Sequence, residues 1–220
     1  MKPAGYVPGA IDLDYIEGIG APIHPALAAI EAAAEPEGVP IVDRSSGRVL
    51  SILAAGRRSI VEVGTAYGYS TLWMALGQPP EGRIVTIDPD RSRTDLARGW
   101  WRQAGIADER IVVVSRPALE AFADGVPALE GPFDLAFIDA LKPEYLDYLA
   151  ALRARLVPGA LVVADNVLWG GLAARPGAAG GMAGDTTALR IFNATVLADP
   201  AFTATILPVG DGLLLGQFRG

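Results

Sequence analysis

Asp139, Asp165 and Asn166 stand at the ends of two strongly apolar runs, FDLAFID and LVVADN. Two carboxylates and a carboxamide are hard oxygen ligands that suit Mg²⁺, with Mn²⁺ or Ca²⁺ as alternatives, and water or substrate oxygens would complete an octahedron. If the two runs are neighbouring parallel strands, all three side chains reach one sheet edge. Carboxylates clustered there repel unless a cation neutralises them. Alternatively they are turn residues, since Asp and Asn are common at strand ends. Lys142 follows shortly after Asp139. A nearby dication and partial burial both disfavour its ammonium form and fit it for general-base work; without the cluster it reads as an exposed lysine at a helix start.

The absent residue types narrow the chemistry. The chain has no cysteine and a single histidine, His24. Disulfides, thiolate metal sites and a Cys nucleophile are excluded, and a Ser-His-Asp triad or His-rich zinc site is disfavoured. His24, between Ile23 and Pro25, reads as a surface or helix-start residue.

A second constellation lies upstream, where IVEV runs into GTAYGYS. Gly64 and Gly68 allow a tight turn and close approach of a ligand to the backbone, and Ser70 reads as the N-cap of the next helix. The spacing is G-x-x-x-G, not the G-x-G-x-x-G of dinucleotide binders. A purely structural strand–helix turn would look the same. Asp88 ends the following apolar run. It could accept hydrogen bonds from both hydroxyls of a ribose, or cap a turn ahead of Pro89. Together the two features favour an adenosine-containing ligand.

The elements that must position these residues alternate. Short apolar strands are expected at 59–63, 83–88, 111–115, 133–139 and 160–165. Helices are expected between them at 70–76, 91–104, 118–123 and 143–156. Near-continuous apolar strands alternating with helices mean a parallel sheet covered on both faces. Runs 202–209 and 212–218, joined by Gly210-Asp211, read as a hairpin. The fold class is therefore α/β: a doubly wound, Rossmann-like, mostly parallel seven-stranded sheet with an antiparallel C-terminal strand pair. With 220 residues and no dividing linker, one domain is expected. An N-terminal helical segment, about 1–57, packs on it: Ala-rich 25–35, a Pro/Gly break at 36–40 and a second apolar stretch at 47–55. Trp100 and Trp101 read as packing. The stretch GGLAARPGAAGGMAG (170–184) borders the site and reads as a lid over substrate. Residues 1–18 lack the apolar core of a signal peptide and no apolar run is long enough to span a bilayer, so a soluble cytoplasmic protein is expected. A net charge of −7, with lysine only at positions 2 and 142, argues against a nucleic-acid partner.

At this point the chain resembles the cation-dependent class I O-methyltransferases, the family of catechol and caffeoyl-coenzyme A O-methyltransferases and many small bacterial members. The resemblance rests on VEVGTAYGYSTLWMA, TIDPD followed by LARGWWRQAGI, FDLAFIDALKPEYLDY, GALVVADNVLWGG and ILPVGDGLLLGQ, in the family's order. It implies that Asp139, Asp165 and Asn166 hold the metal. It also implies that Glu62, Gly64, Thr65 and Ser70 contact the methionine part of S-adenosylmethionine, that Asp88 binds its ribose, and that Ala118 and Val42 make further cofactor contacts. Lys142 matches the family's proton acceptor, and a homodimer is implied. Lysines that could grip a coenzyme A phosphate are nearly absent, so a small acceptor with adjacent hydroxyls is expected. Alternatives are a tRNA hydroxyuridine acceptor, a nucleotide-dependent oxidoreductase on the same architecture, and a non-catalytic metabolite-binding module.

Overall fold

Alternation along the strands decides the layering. In β1 (Ser59–Val63), Val61 and Val63 pack into one apolar cluster and Ile60 into another, so both faces of the strand are buried. The computed structural model describes residues 8–175, 177 and 183–220. The other elements are α1 (Ala10–Ile19), α2 (Pro25–Glu37), α3 (Arg44–Ala54), α4 (Tyr69–Gly77), β2 (Arg83–Ile87), α5 (Arg91–Gln103), β3 (Ile111–Val114), α6 (Ala118–Ala123), β4 (Phe133–Ile138), α7 (Tyr145–Arg153), β5 (Leu156–Ala164), α8 (Ala183–Ala198), β6 (Phe202–Leu207) and β7 (Leu213–Phe218).

The sheet order is β3-β2-β1-β4-β5-β7-β6. Strands β1 to β5 are mutually parallel, and β7 runs antiparallel to both β5 and β6. Helices α6, α7 and α8 cover one face; α2, α3, α4 and α5 cover the other. Strand order reverses between β1 and β4, and that is where an open α/β sheet leaves a crevice beyond its carboxyl ends.

Local chemistry sets the N-terminal helices. The Nδ1 of His24 accepts from the Ala26 amide at 3.1 Å and so caps α2, while Gly38, at φ +60°, ends it. The expected break at 36–40 is correspondingly shorter, because Pro36 sits in the last turn. Asp43 caps α3 by accepting from the Ser45 and Ser46 amides at 2.8 and 3.0 Å, which starts that helix before the apolar stretch begins. Helix α1 falls within the helical segment expected over about 1–57, but its bounds escape sequence reading because it has no core face. Its Ile11, Leu13, Tyr15, Ile16 and Ile19 are exposed, and Glu17 ties it to Arg44 and Arg48 at 2.8 and 3.4 Å. Exposed pairs of that kind contribute at most about 1 kcal/mol each. Strand β5 begins earlier than expected, since Pro158-Gly159 lies within it, beside a register shift between Phe133 and Leu135 of β4.

Candidate active site

A cavity of about 610 Å³ opens beyond the carboxyl ends of β1, β2, β4 and β5, at the strand-order reversal. Val42, Gly64, Thr65, Ser70, Asp88, Ala118, Asp139, Lys142, Asp165 and Asn166 all line it. Glu62 does not; it lies behind the wall.

Backbone geometry shapes the half of the cavity beside β1. Gly64 has φ +100°, and a Cβ there would collide with the Asp139 carbonyl oxygen. Glycine is thus required where β1 and β4 leave the sheet side by side. Gly68, at φ +71°, is the N-cap of α4, so Ser70 is not the cap. Its hydroxyl instead turns inward and donates to Glu62 at 2.6 Å. No side chain caps α4, which leaves its first-turn amides available to an anionic group. Trp101 packs under the turn and donates its indole N–H to the Gly68 carbonyl at 3.0 Å, as expected for a packing residue.

Glu62 is fully buried and accepts from Ser70, Thr71 and Thr86, with Thr86 in turn 2.5 Å from Thr65. Burial pushes its carboxyl up to about 7, outweighing the three hydroxyl donors that favour the ionised form. It therefore acts on the cavity through Ser70 and Thr65. Asp88 accepts from the Thr65 and Ala66 amides at 3.1 and 2.8 Å and from the Asp90 amide at 2.8 Å. The turn role considered for it is realised: Oδ2 takes both the Thr65 and Ala66 amides, while Oδ1, with only the Asp90 amide on it, keeps a lone pair for a ligand hydroxyl.

On the other side, the parallel pairing of β4 with β5 sets Ile138 beside Ala164, so the residues that follow these strands are neighbours. Lys142 is buried, and its Nζ donates to Asp139 Oδ1 at 2.8 Å, Asn166 Oδ1 at 2.7 Å and Tyr145 Oη at 2.7 Å. It is not the exposed lysine of the simpler reading. Asp165, 2 % exposed, accepts from the Asn166 amide at 2.7 Å. Burial, and next the charge of Asp139, push its carboxyl up to about 7. Among the described residues no hydrogen bond is made to Oδ2 of Asp139 or of Asp165. Asn166 has φ +57°, a left-handed conformation that Asn tolerates better than most residues.

Sequence reading missed Tyr145 and Trp169, whose rings flank Lys142 Nζ at 5.0 and 5.6 Å. The spacing of Lys142 and Tyr145 across a helical turn was the available signal. Leu141, Glu144 and Asp185 also line the cavity. Arg190 of α8 donates to the carbonyls of Leu172, Ala173 and Arg175 and pins the start of the glycine-rich stretch. Positions 176 and 178–182 of the expected lid lie outside the described residues. Among those described there is no group of three or more His, Cys, Asp or Glu side chains placed to hold a metal; the oxygen set here is two carboxylates and a carboxamide. Nor is any helix long and apolar enough to cross a membrane.

This arrangement has counterparts. A family model described as "O-methyltransferase" matches residues 30–218. A catechol O-methyltransferase of Mycobacterium tuberculosis is 41 % identical over 152 residues, 67 % of each chain. One of Niastella koreensis is 35 % identical over 190 residues, 82 % of this chain and 81 % of the other. Among solved structures, the O-methyltransferase TomG of Streptomyces achromogenes, in complex with SAM, superposes with a TM-score of 0.82 at 30 % identity over 96 % of both chains. A Bacillus cereus O-methyltransferase in complex with SAH gives 0.83 at 26 % identity, over 96 % of this chain and 97 % of the other. The match spans both constellations and the strands that carry them, and the chain belongs to the O-methyltransferase family.

Proposed function

We propose that this O-methyltransferase moves the methyl group of S-adenosylmethionine onto one hydroxyl of a small acceptor with two adjacent hydroxyls, using a divalent cation, Mg²⁺ by ligand hardness. The observation that carries this reading is the convergence of Asp139 Oδ1 and Asn166 Oδ1 on one cationic atom, 2.8 and 2.7 Å away. They do so in the cavity that Gly64, Asp88 and Ala118 also line. The relatives named catechol O-methyltransferases and the structures holding SAM or SAH support it. A net charge of −7 works against a tRNA acceptor.

The donor set fits a hard cation, since it consists of oxygens, two of which, on Asp139 and Asn166, already meet at a positive charge. Asp139, Asp165 and Asn166 would hold the ion, which supplies Lewis-acid stabilisation of an ionised acceptor oxygen. S-adenosylmethionine supplies an electrophilic methyl group. The chain's residues do the rest. The 64–70 turn and the uncapped start of α4 hold the donor's carboxylate, Asp88 its ribose, Ala118 lies on its adenine side, and Val42 makes a further contact to it. Lys142 Nζ, left as the neutral amine once one ammonium proton is lost to solvent beside the bound dication, would take the hydroxyl proton as the oxygen bonds to the methyl carbon and the carbon–sulfur bond breaks to release S-adenosylhomocysteine. Leu141 and Trp169 line the cavity beside Lys142, and the strand ends that carry the site residues give donor and acceptor a fixed frame.

Asp165→Ala tests this. Turnover of 3,4-dihydroxybenzoate should fall at least ~100-fold, the minimum expected when several kcal/mol of charge stabilisation are lost. Affinity for S-adenosylhomocysteine, measured by calorimetry, should be retained. Undiminished turnover in that variant, or in excess chelator, removes the cation from the reaction.

A further inference from the structure

We infer that the Tyr145 hydroxyl is the anchor that keeps Lys142 beside the acceptor when a divalent cation takes over Asp139 and Asn166. Tyr145 is then a positioning residue for methyl transfer. This rests on the metal reading above.

An ammonium group has three N–H donors, and Lys142 has three acceptors: Asp139 Oδ1 at 2.8 Å, Asn166 Oδ1 at 2.7 Å and Tyr145 Oη at 2.7 Å. Two of these belong to the proposed ligand set. A divalent ion bound to them engages their lone pairs and repels the ammonium. The third acceptor lies outside the set and is oriented independently of Lys142. Tyr145 Oη donates its one proton to the Asp165 backbone carbonyl at 3.1 Å, so towards Lys142 it can only accept. A backbone carbonyl does not swing away as a side chain would.

The phenol is also fixed by packing. Tyr145 is 0 % exposed, and its ring meets Phe192 edge-on at 5.3 Å. It opens α7 directly after the 3₁₀ turn Lys142–Glu144. In such a turn, residues three apart eclipse one another, which sets Lys142 and Tyr145 side by side. A lysine side chain with four flexible carbons, stripped of two partners, would otherwise sample many positions. Displacement of a reacting group by about 1 Å costs about 100-fold in rate.

The chain holds two lysines, Lys2 and Lys142, so protein labelled with ¹³Cε-lysine gives two signals, assigned with Lys2→Arg. Ring currents from Tyr145 and Trp169 displace the Lys142 signal from the free-lysine position. Saturating Mg²⁺ should move the wild-type signal yet leave it displaced. In Tyr145→Phe, which keeps the packed ring, Mg²⁺ should collapse it onto the free-lysine position. With 3,4-dihydroxybenzoate, Tyr145→Phe should lower kcat ~100-fold at unchanged acceptor KM, and add no loss in a Lys142→Ala background. If Mg²⁺ moves the wild-type signal and Tyr145→Phe follows the same course, the anchor is wrong and the metal stands. Collapse of the wild-type signal itself overturns the anchor without any variant. If Mg²⁺ leaves the wild-type signal unmoved, the metal reading fails and takes the anchor with it.

Discussion

Glu62→Gln should flatten the dependence of stability on pH across neutrality. The Glu62 carboxyl holds its proton up to about 7 in the folded chain, against an ordinary value of 4.5. Between those values the folded state binds more protons than the unfolded one, so stability falls as pH rises. The contribution is fully present below about 4.5 and lost as pH passes through about 7. That interval, about 2.5 pH units, corresponds to about 3 kcal/mol. Glutamine has no charge to expose and loses this dependence. It does bring an N–H₂ group among three hydroxyls, which must rotate to accept, at a cost independent of pH of about 1–2 kcal/mol. The slope, not the absolute stability, is therefore the quantity to measure. Urea unfolding of wild type and variant at intervals from about pH 5 to about pH 8 gives it. Asp165, also pushed up to about 7, leaves a residual slope in both proteins. Parallel profiles for the two would show that Glu62 ionises in the fold without penalty, and the burial argument would be wrong.

Three further outcomes follow from the same geometry. Gly64→Ala, at φ +100° and against the Asp139 carbonyl, should destabilise by at least about 2 kcal/mol and lower S-adenosylhomocysteine affinity; wild-type melting and binding would refute it. Trp101→Phe removes the indole N–H donated to the Gly68 carbonyl and should cost about 1 kcal/mol, read by denaturant titration. Calorimetric Mg²⁺ affinity should weaken as pH falls through about 7, because Asp165 must shed its proton to bind a cation; affinity independent of pH between about 6 and about 8 would count against Asp165 as a ligand.

The sheet was legible because its central strands are buried on both sides and carry strongly apolar runs, and Asp88, Asp139 and Asp165 follow them directly. What was hidden lacked a local signal. Helix α1 has no core-facing stripe, so periodicity had nothing to report. Ser70 looks like a cap in isolation, but a buried Glu62 on the neighbouring strand claims its hydroxyl. Tyr145 reads as an ordinary helix residue until β5 brings the Asp165 carbonyl to its hydroxyl. Each depends on a partner distant along the chain. The oxidoreductase alternative fails with the family membership, consistent with the glycine spacing.

The reversed strand β7 carries a consequence for how the molecule comes together. It sits between β5 and β6, so the strand that delivers Asp165 is flanked on one side by a strand, Leu213–Phe218, that is synthesised well after it. Until it arrives, β5 has a bare edge able to capture another chain. Deleting even the final few residues of β7 should thus harm assembly of the catalytic centre far more than their distance from it would indicate.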